Sequence, residues 1–338
     1  MKTILCEEPN RLVMTETERP VLREGEALVK IKRIGICGTD LHAYKGNQPY
    51  FTYPRILGHE LSGEIVDIQD NETDLTCGDL VTVMPYRYCG TCVACRQGKT
   101  NCCTSLNVLG VHEDGGMREY MAVPTNLLLK ADGLTPEQAA IVECLCIGAH
   151  AVRRASIVPG EYVLVIGAGP IGLGVMKFAK LAGAKVIALD INEDRLDYCK
   201  QWVPADYVVG AKNDPAAKIK EITQGDYPTV VLDATGNVSS MEQAAQYVAH
   251  TGRLIYVGLV KSRISFDDPD FHKRELSILS SRNATREDFE YVMESIRSGS
   301  IDTDSFITHR VDLDHMIDTY ESWLKPESGV IKAMVQLD

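Results

Sequence analysis

Residues 162–190 read YVLVIGAGPIGLGVMKFAKLAGAKVIALD: an apolar run, a glycine turn, a helical stretch and a second apolar run that ends on an acid. Gly167, Gly169 and Gly172, with Pro170 and Ile171 between the last two, fit G-x-G-x-x-G between a strand and a helix. In that setting the first glycine allows the tight turn and the second admits a pyrophosphate to the backbone. The third lets the helix pack on the strand, and the helix N-terminus supplies an anion site. Asp190, closing the second strand, is placed to hydrogen-bond an adenosine ribose, and its charge opposes a 2′-phosphate. NAD is therefore expected rather than NADP, with Arg195 the nearest downstream cation that would moderate the preference.

Further strand-like runs follow, TVVLDATG at 229–236 and GRLIYVGL at 252–259, with the helical stretch SSMEQAAQYVAH at 239–250 between them. Repeated β-α units predict a doubly wound parallel sheet, which binds ligands at the carboxyl ends of its strands. Gly236 and Gly258 close strands there and are expected to let a cofactor approach the backbone. With 338 residues the chain is longer than one core usually serves, so a second domain is expected.

The rest of the chain carries thiols. Of 11 cysteines, Cys89, Cys92 and Cys95 lie close together in YCGTCVACRQGKTNCC, followed by the adjacent Cys102 and Cys103. The N-terminus MKTILCEEPNR lacks the apolar core of a secretory signal, so the mature chain is expected to start there. No apolar run approaches the length of a bilayer span, and a soluble, cytoplasmic protein is expected. In a reducing compartment the cysteines read as thiols or metal ligands rather than disulfides. Four thiolates on one loop suit a closed, structural zinc, whereas iron–sulfur clusters use other local spacings. A net charge of −12, from 47 acidic and 35 basic side chains, argues against nucleic acid or anionic membrane as partner.

An open metal site is expected upstream, where GICGTDLH at 35–42 and ILGHELSG at 56–63 offer Cys37, His59 and Glu60. A thiolate, an imidazole and a carboxylate form a mixed ligand set that leaves a position for water or substrate. Each segment is expected to follow a β-like run, ALVKIKRIGI before the first, and to sit at a strand end or loop. Glu143, inside the apolar helical stretch AAIVECLCIGAH, is costly to bury unless paired or metal-bound. It reads as a ligand, a group that holds the metal's water, or a helix-terminal cap.

Taken with DGGMREYMAVP at 114–124, these strings in this order resemble the zinc-containing medium-chain alcohol dehydrogenase family over nearly the whole chain. The resemblance implies an α/β protein with a mostly-β, GroES-like catalytic domain on residues 1–143 and 283–338. A Rossmann NAD-binding domain would occupy residues 144–282. It implies two zinc ions: a catalytic one at Cys37, His59, Glu60 and Glu143, and a structural one at Cys89, Cys92, Cys95 and Cys103, with Cys102 a spare thiol. Relatives carry Pro after the glutamate that Glu143 matches, and Cys144 stands here.

The strings YPRILGHELSG, NVLGVHEDGG and LSSRNAT look closest to the bacterial starvation-sensing and L-galactonate-type sugar-acid oxidoreductases. The implied reaction moves a hydride from a secondary alcohol of a polyol or sugar acid to NAD. Thr39 matches the family's proton-accepting hydroxyl, His42 the histidine that passes the proton to solvent, and Arg282 an arginine turned toward substrate. A homodimer or homotetramer is implied as well. L-Threonine 3-dehydrogenase is the alternative activity. A non-catalytic regulator that retains NAD and zinc is the alternative from another class, with Cys6, Cys77, Cys144, Cys146 and Cys199 as its suggestive extra thiols.

Overall fold

The computed structural model describes residues 1–48, 51–69, 72–212 and 214–338. Contacts divide the chain into two compact units, Met1–Glu143 with Thr285–Asp338, and Cys144–Ala284. In chain order the strands of the first unit are β1 (Lys2–Glu8), β2 (Arg11–Glu16), β3 (Glu26–Ile36), β4 (Glu60–Ile68), β5 (Leu80–Val83), β6 (Tyr86–Arg87), β7 (Asn107–Val108), β8 (Tyr120–Pro124) and β9 (Leu128–Lys130). The second unit holds β10 (Tyr162–Ile166), β11 (Lys185–Asp190), β12 (Tyr207–Gly210), β13 (Val230–Asp233), β14 (Arg253–Tyr256) and β15 (Ser277–Ser280). The chain then returns to the first unit with β16 (Ile307–Asp312) and β17 (Lys332–Gln336).

The first unit is built on a seven-stranded sheet in the order β16-β17-β3-β4-β5-β9, with β8 also paired to β3. The pairs flanking β3 are antiparallel, and their register sets Gly35 opposite Glu60 on one side and opposite Met334 on the other. β3 is buried at both ends, over Ala27–Val29 and Ile34–Ile36, while Lys30, Lys32 and Arg33 in its middle are half-buried around the fully buried Ile31.

The second unit is a six-stranded sheet in the order β12-β11-β10-β13-β14-β15, with every pairing parallel. This is the doubly wound arrangement, with strand order running outward in both directions from β10. Its central strands are apolar at consecutive positions because both faces are covered. Leu164, Ile187, Val231 and Leu254 enter one core, while Val163, Val165, Val186 and Val230 are also fully buried. The stretch expected to be one helix over 239–250 is a short helix, Val238–Gln243, that tightens into a 3-10 turn at Ala244–Tyr247. Among the described residues no helix is long and apolar enough to cross a membrane.

Leu164, fully buried in the middle of β10, tests this core. Leu164→Ala should destabilise the second unit by about 2–5 kcal/mol, the usual cost of such a cavity. A melting temperature equal to wild type would show that this position is not packed as described.

Candidate functional site

Cys37 and His59 are brought together by strand register. Cys37 is the residue after β3 and His59 the residue before β4, and the antiparallel Gly35–Glu60 pairing puts these two ends side by side. The second segment therefore precedes its strand rather than following one, because the β-like run in that segment begins at Glu60 itself. Ligand atoms of Cys37, His59 and Glu60 all lie within 4.8 Å of one another.

Asp40, with no exposed surface, ties the group together. It is the third residue of the helix Gly38–Tyr44, which Cys37 caps, and its Oδ2 accepts the Cys37 amide at 3.0 Å while its Oδ1 accepts the Gly58 amide at 3.2 Å. The Cys37 sulfur accepts the Thr39 amide at 3.4 Å. One carboxylate thus fixes the backbone on both sides of the site.

His59 is 5% exposed, and its Nδ1 has no hydrogen-bond partner; Asp40 Oδ1 stands 3.6 Å away, beyond hydrogen-bond reach. Burial opposes the imidazolium, but the charges of Asp40 and Cys37 outweigh it and hold the His59 pKa well above the usual range. Glu60 is fully buried, and both its oxygens accept from the Lys332 ammonium, at 2.7 and 2.8 Å. A side chain at Gly35 would put its Cβ 2.2 Å from Glu60 Oε2, so this glycine makes room for the carboxylate. A buried imidazole, a thiol and a carboxylate with ligand atoms this close together fit a zinc ion by the chemistry of their donors.

Glu143, 4% exposed in the first turn of the helix Val142–Ala155, stands outside this three-residue group. Its Oε1 accepts the Tyr86 hydroxyl. Burial raises the Glu143 pKa and the Glu60 charge adds to this, while His59, the Tyr86 hydrogen bond and Lys332 pull it back. Thr39 is half-buried, and His42, in the last turn of its helix, is exposed.

Ligand atoms of Cys89, Cys92, Cys95 and Cys103 lie within 4.8 Å of one another, and the exposed Cys102 is not among them. Backbone amides point at the sulfurs: Cys92 N–H donates to Cys89 at 3.3 Å, and the amides of Cys89 and Ser105 donate to Cys103 at 3.3 Å. Hydrogen bonds from Thr91 and neighbouring amides lower the Cys89 thiol to about 7, and the amides of Cys95 and Thr104 lower Cys92 to about 5. Burial and the adjacent Cys92 push Cys95 up to about 12. Thiolates gathered this tightly without a cation repel each other, and a tetrahedral divalent ion removes the conflict.

In the second unit a cavity of about 720 Å³ opens at the carboxyl ends of β10, β11 and β13, lined by Gly167, Gly169, Asp190 and Arg195 among others. Gly167 adopts φ 97°, and a Cβ at Gly172 would lie 1.7 Å from the Gly167 carbonyl oxygen. Gly169 caps the helix Pro170–Leu181, whose first residues are Pro170 and Ile171, and a Cβ there would meet nothing nearer than Arg195 at 3.9 Å, leaving the backbone open to a ligand. Asp190 accepts the Ala168 amide at 2.6 Å and the Asn192 amide at 2.8 Å, so it braces the glycine turn from the cavity wall. Gly236 and Gly258 pack on each other: a Cβ at Gly258 would come 2.4 Å from the Gly236 nitrogen. That contact alone requires a glycine at 258. Arg282 is exposed, just after β15.

Lys332 and Tyr86 escape sequence reasoning. Lys332 is a single charged group in an apolar stretch whose partner is 272 residues away, and Tyr86 is one of two tyrosines in PYRYC with nothing to mark it. The only sequence signal is a lysine inside the strand-like KAMVQ.

Residues 23–133 match the alcohol dehydrogenase GroES-like domain and residues 170–298 the zinc-binding dehydrogenase family. The chain is 44% identical to L-galactonate-5-dehydrogenase of Escherichia coli K12 over 335 residues, 99% of this chain and 98% of that one. It is 31% identical to L-threonine 3-dehydrogenase of Bacillus licheniformis, over 92% of both chains. Among solved structures, the alcohol dehydrogenase rspB of Escherichia coli CFT073, complexed with NADH, superposes with a TM-score of 0.93 at 33% identity. The match covers 100% of this chain and 99% of that one.

In metal-free protein the thiol order should be directly visible. Alkylation at neutral pH, followed by mass spectrometry, should modify Cys92 and Cys89, which are substantially ionised there, well before Cys95. Cys95 reacting first would contradict the amide-to-sulfur geometry.

Proposed function

The chain belongs to the zinc-type medium-chain alcohol dehydrogenase family, and from that premise we propose that it oxidises a secondary alcohol of a sugar acid of the L-galactonate kind, with NAD as hydride acceptor. The observation that carries this reading is the 44% identity to L-galactonate-5-dehydrogenase along the whole chain. The family resemblance assigns Arg282 to the substrate, and a carboxylate is a group that an arginine recognises well.

Cys37, His59 and Glu60 would hold the catalytic zinc, with Glu143 as a further ligand or as the group that holds its water. When bound there, zinc supplies Lewis-acid polarisation of the substrate hydroxyl. The chain's own groups do the rest. Thr39 takes the hydroxyl proton and His42, exposed on the same helix, hands it to solvent. Asp40 keeps Cys37 and the backbone before His59 in place by its two amide contacts. Burial of His59 and Glu60 keeps bulk water from the ligands, where charge interactions are stronger.

A second zinc would be held by Cys89, Cys92, Cys95 and Cys103, a closed thiolate set that would brace its lobe. In the second unit the cavity would take the adenosine part of NAD, where Asp190 would meet the ribose and Arg195 lines the same wall. The working form is a homodimer or homotetramer joined through the nucleotide-binding units, where β15 forms one edge of the sheet.

Steady-state assays with NAD should show NADH production from L-galactonate at a kcat/KM at least about tenfold above that from L-threonine, a difference of about 1.4 kcal/mol in transition-state stabilisation. Cys37→Ser should abolish turnover and remove one zinc while the protein stays folded. Preference for threonine would transfer the assignment to the amino-acid dehydrogenases, and full activity of Cys37→Ser would sink the catalytic-zinc assignment.

A further inference from the structure

Lys332 is 1% exposed, and its ammonium donates to both oxygens of Glu60 and, at 3.2 Å, to the carbonyl of Ile36. The residue starts β17, while Glu60 starts β4, and β3 runs between them. A side chain from one to the other must cross β3. It can do so because Gly35, paired with both neighbours, has no side chain where the Glu60 carboxylate lies. Three strands are thus arranged around one ion pair, and one member of that pair belongs to the Cys37, His59 and Glu60 group.

A hydrogen-bond acceptor behind a metal ligand raises that ligand's basicity. Lys332 does the opposite. Its ammonium offsets the carboxylate charge, occupies both oxygens and adds positive charge beside a cation site. We propose that Lys332 is a positioning residue that restrains Glu60 as a metal ligand. Cys37 and His59 then bind firmly, and the Glu60 position stays weak enough for water or substrate to displace it. This rests on the assignment of Cys37, His59 and Glu60 to a zinc ion.

The test uses full-length enzyme with cobalt(II) exchanged for zinc, read by its visible absorption bands, together with the rate at which the zinc enzyme loses metal to a chelator. Lys332→Met should shift the cobalt bands that depend on Cys37. It should also slow zinc loss from that site by about tenfold or more, the lower end of the effect that outer partners exert on metal affinity. Neither change should appear when Lys332→Met is placed on Glu60→Gln, because the carboxylate it releases is gone. Lys332→Arg, which keeps the charge, should restore wild-type bands. Lys332→Gln removes the charge while keeping a donor, and gives the same comparison if the methionine variant does not fold.

Unchanged bands with an equal fall in melting temperature for metal-loaded and metal-free protein would overturn the proposal and leave Lys332 a structural ion pair. Faster zinc loss would overturn it too. If no cobalt band of the wild type depends on Cys37, the metal assignment fails and the proposal with it. Bands that depend on Cys37 but not on Lys332 overturn the proposal alone.

Discussion

A carboxylate with no exposed surface, at the first residue of β4, is the constraint around which the first unit is arranged. An uncompensated buried charge costs several kcal/mol, on the order of 3–5 when one partner of a buried pair is lost. The sheet order β17-β3-β4 supplies the compensation: the Glu60 carboxylate lies where Gly35 has no side chain, and there Lys332 reaches it. The same Gly35–Glu60 register sets Cys37 beside His59, and Asp40 then ties their backbones together. Candidate metal ligands, counter-charge and strand register are therefore one solution. A slip of β3 against β4 would separate the thiol from the imidazole and strand the carboxylate at once.

The two groups of potential metal ligands are built in contrasting ways. Cys89, Cys92, Cys95 and Cys103 come from one short stretch, where local amides aim at the sulfurs and hold two thiols well below their ordinary range. Little else is needed beyond the loop itself. Cys37, His59 and Glu60 come from two strand ends, and their charges are balanced from the far end of the chain. A loop that saturates an ion braces structure, while a mixed set on rigid strands, with one ligand already engaged by a lysine, leaves room for exchange.

What could be read from the sequence divides along the same line. The glycine turn, Asp190 and the parallel sheet were legible because each is a local pattern: Gly172 must be glycine since a Cβ there strikes the Gly167 carbonyl, and the buried strands are continuous apolar runs. The cysteine loop was legible by spacing, although its fourth member needed the family resemblance, and Cys103 rather than Cys102 joins the cluster. Cys37, His59 and Glu60 were legible as candidates, and only strand register places them together. Lys332 was not legible. A lysine in KAMVQ has no local mark that distinguishes a buried counter-charge from an edge residue, and the partner lies across another strand. At Gly258 the structure adds a packing reason for glycine, since a Cβ there would collide with Gly236 backbone, a contact between loops that no single motif displays.

The central claim is that the four-cysteine loop holds a closed, structural ion while the working metal sits at Cys37, His59 and Glu60. Anomalous diffraction recorded on either side of the zinc absorption edge, from crystals of the enzyme as purified, tests this most directly. Two peaks per chain are predicted, one among the sulfurs of Cys89, Cys92, Cys95 and Cys103, and one in contact with Cys37 and His59. A single peak confined to the four cysteines, in an enzyme that still turns over, would contradict the account.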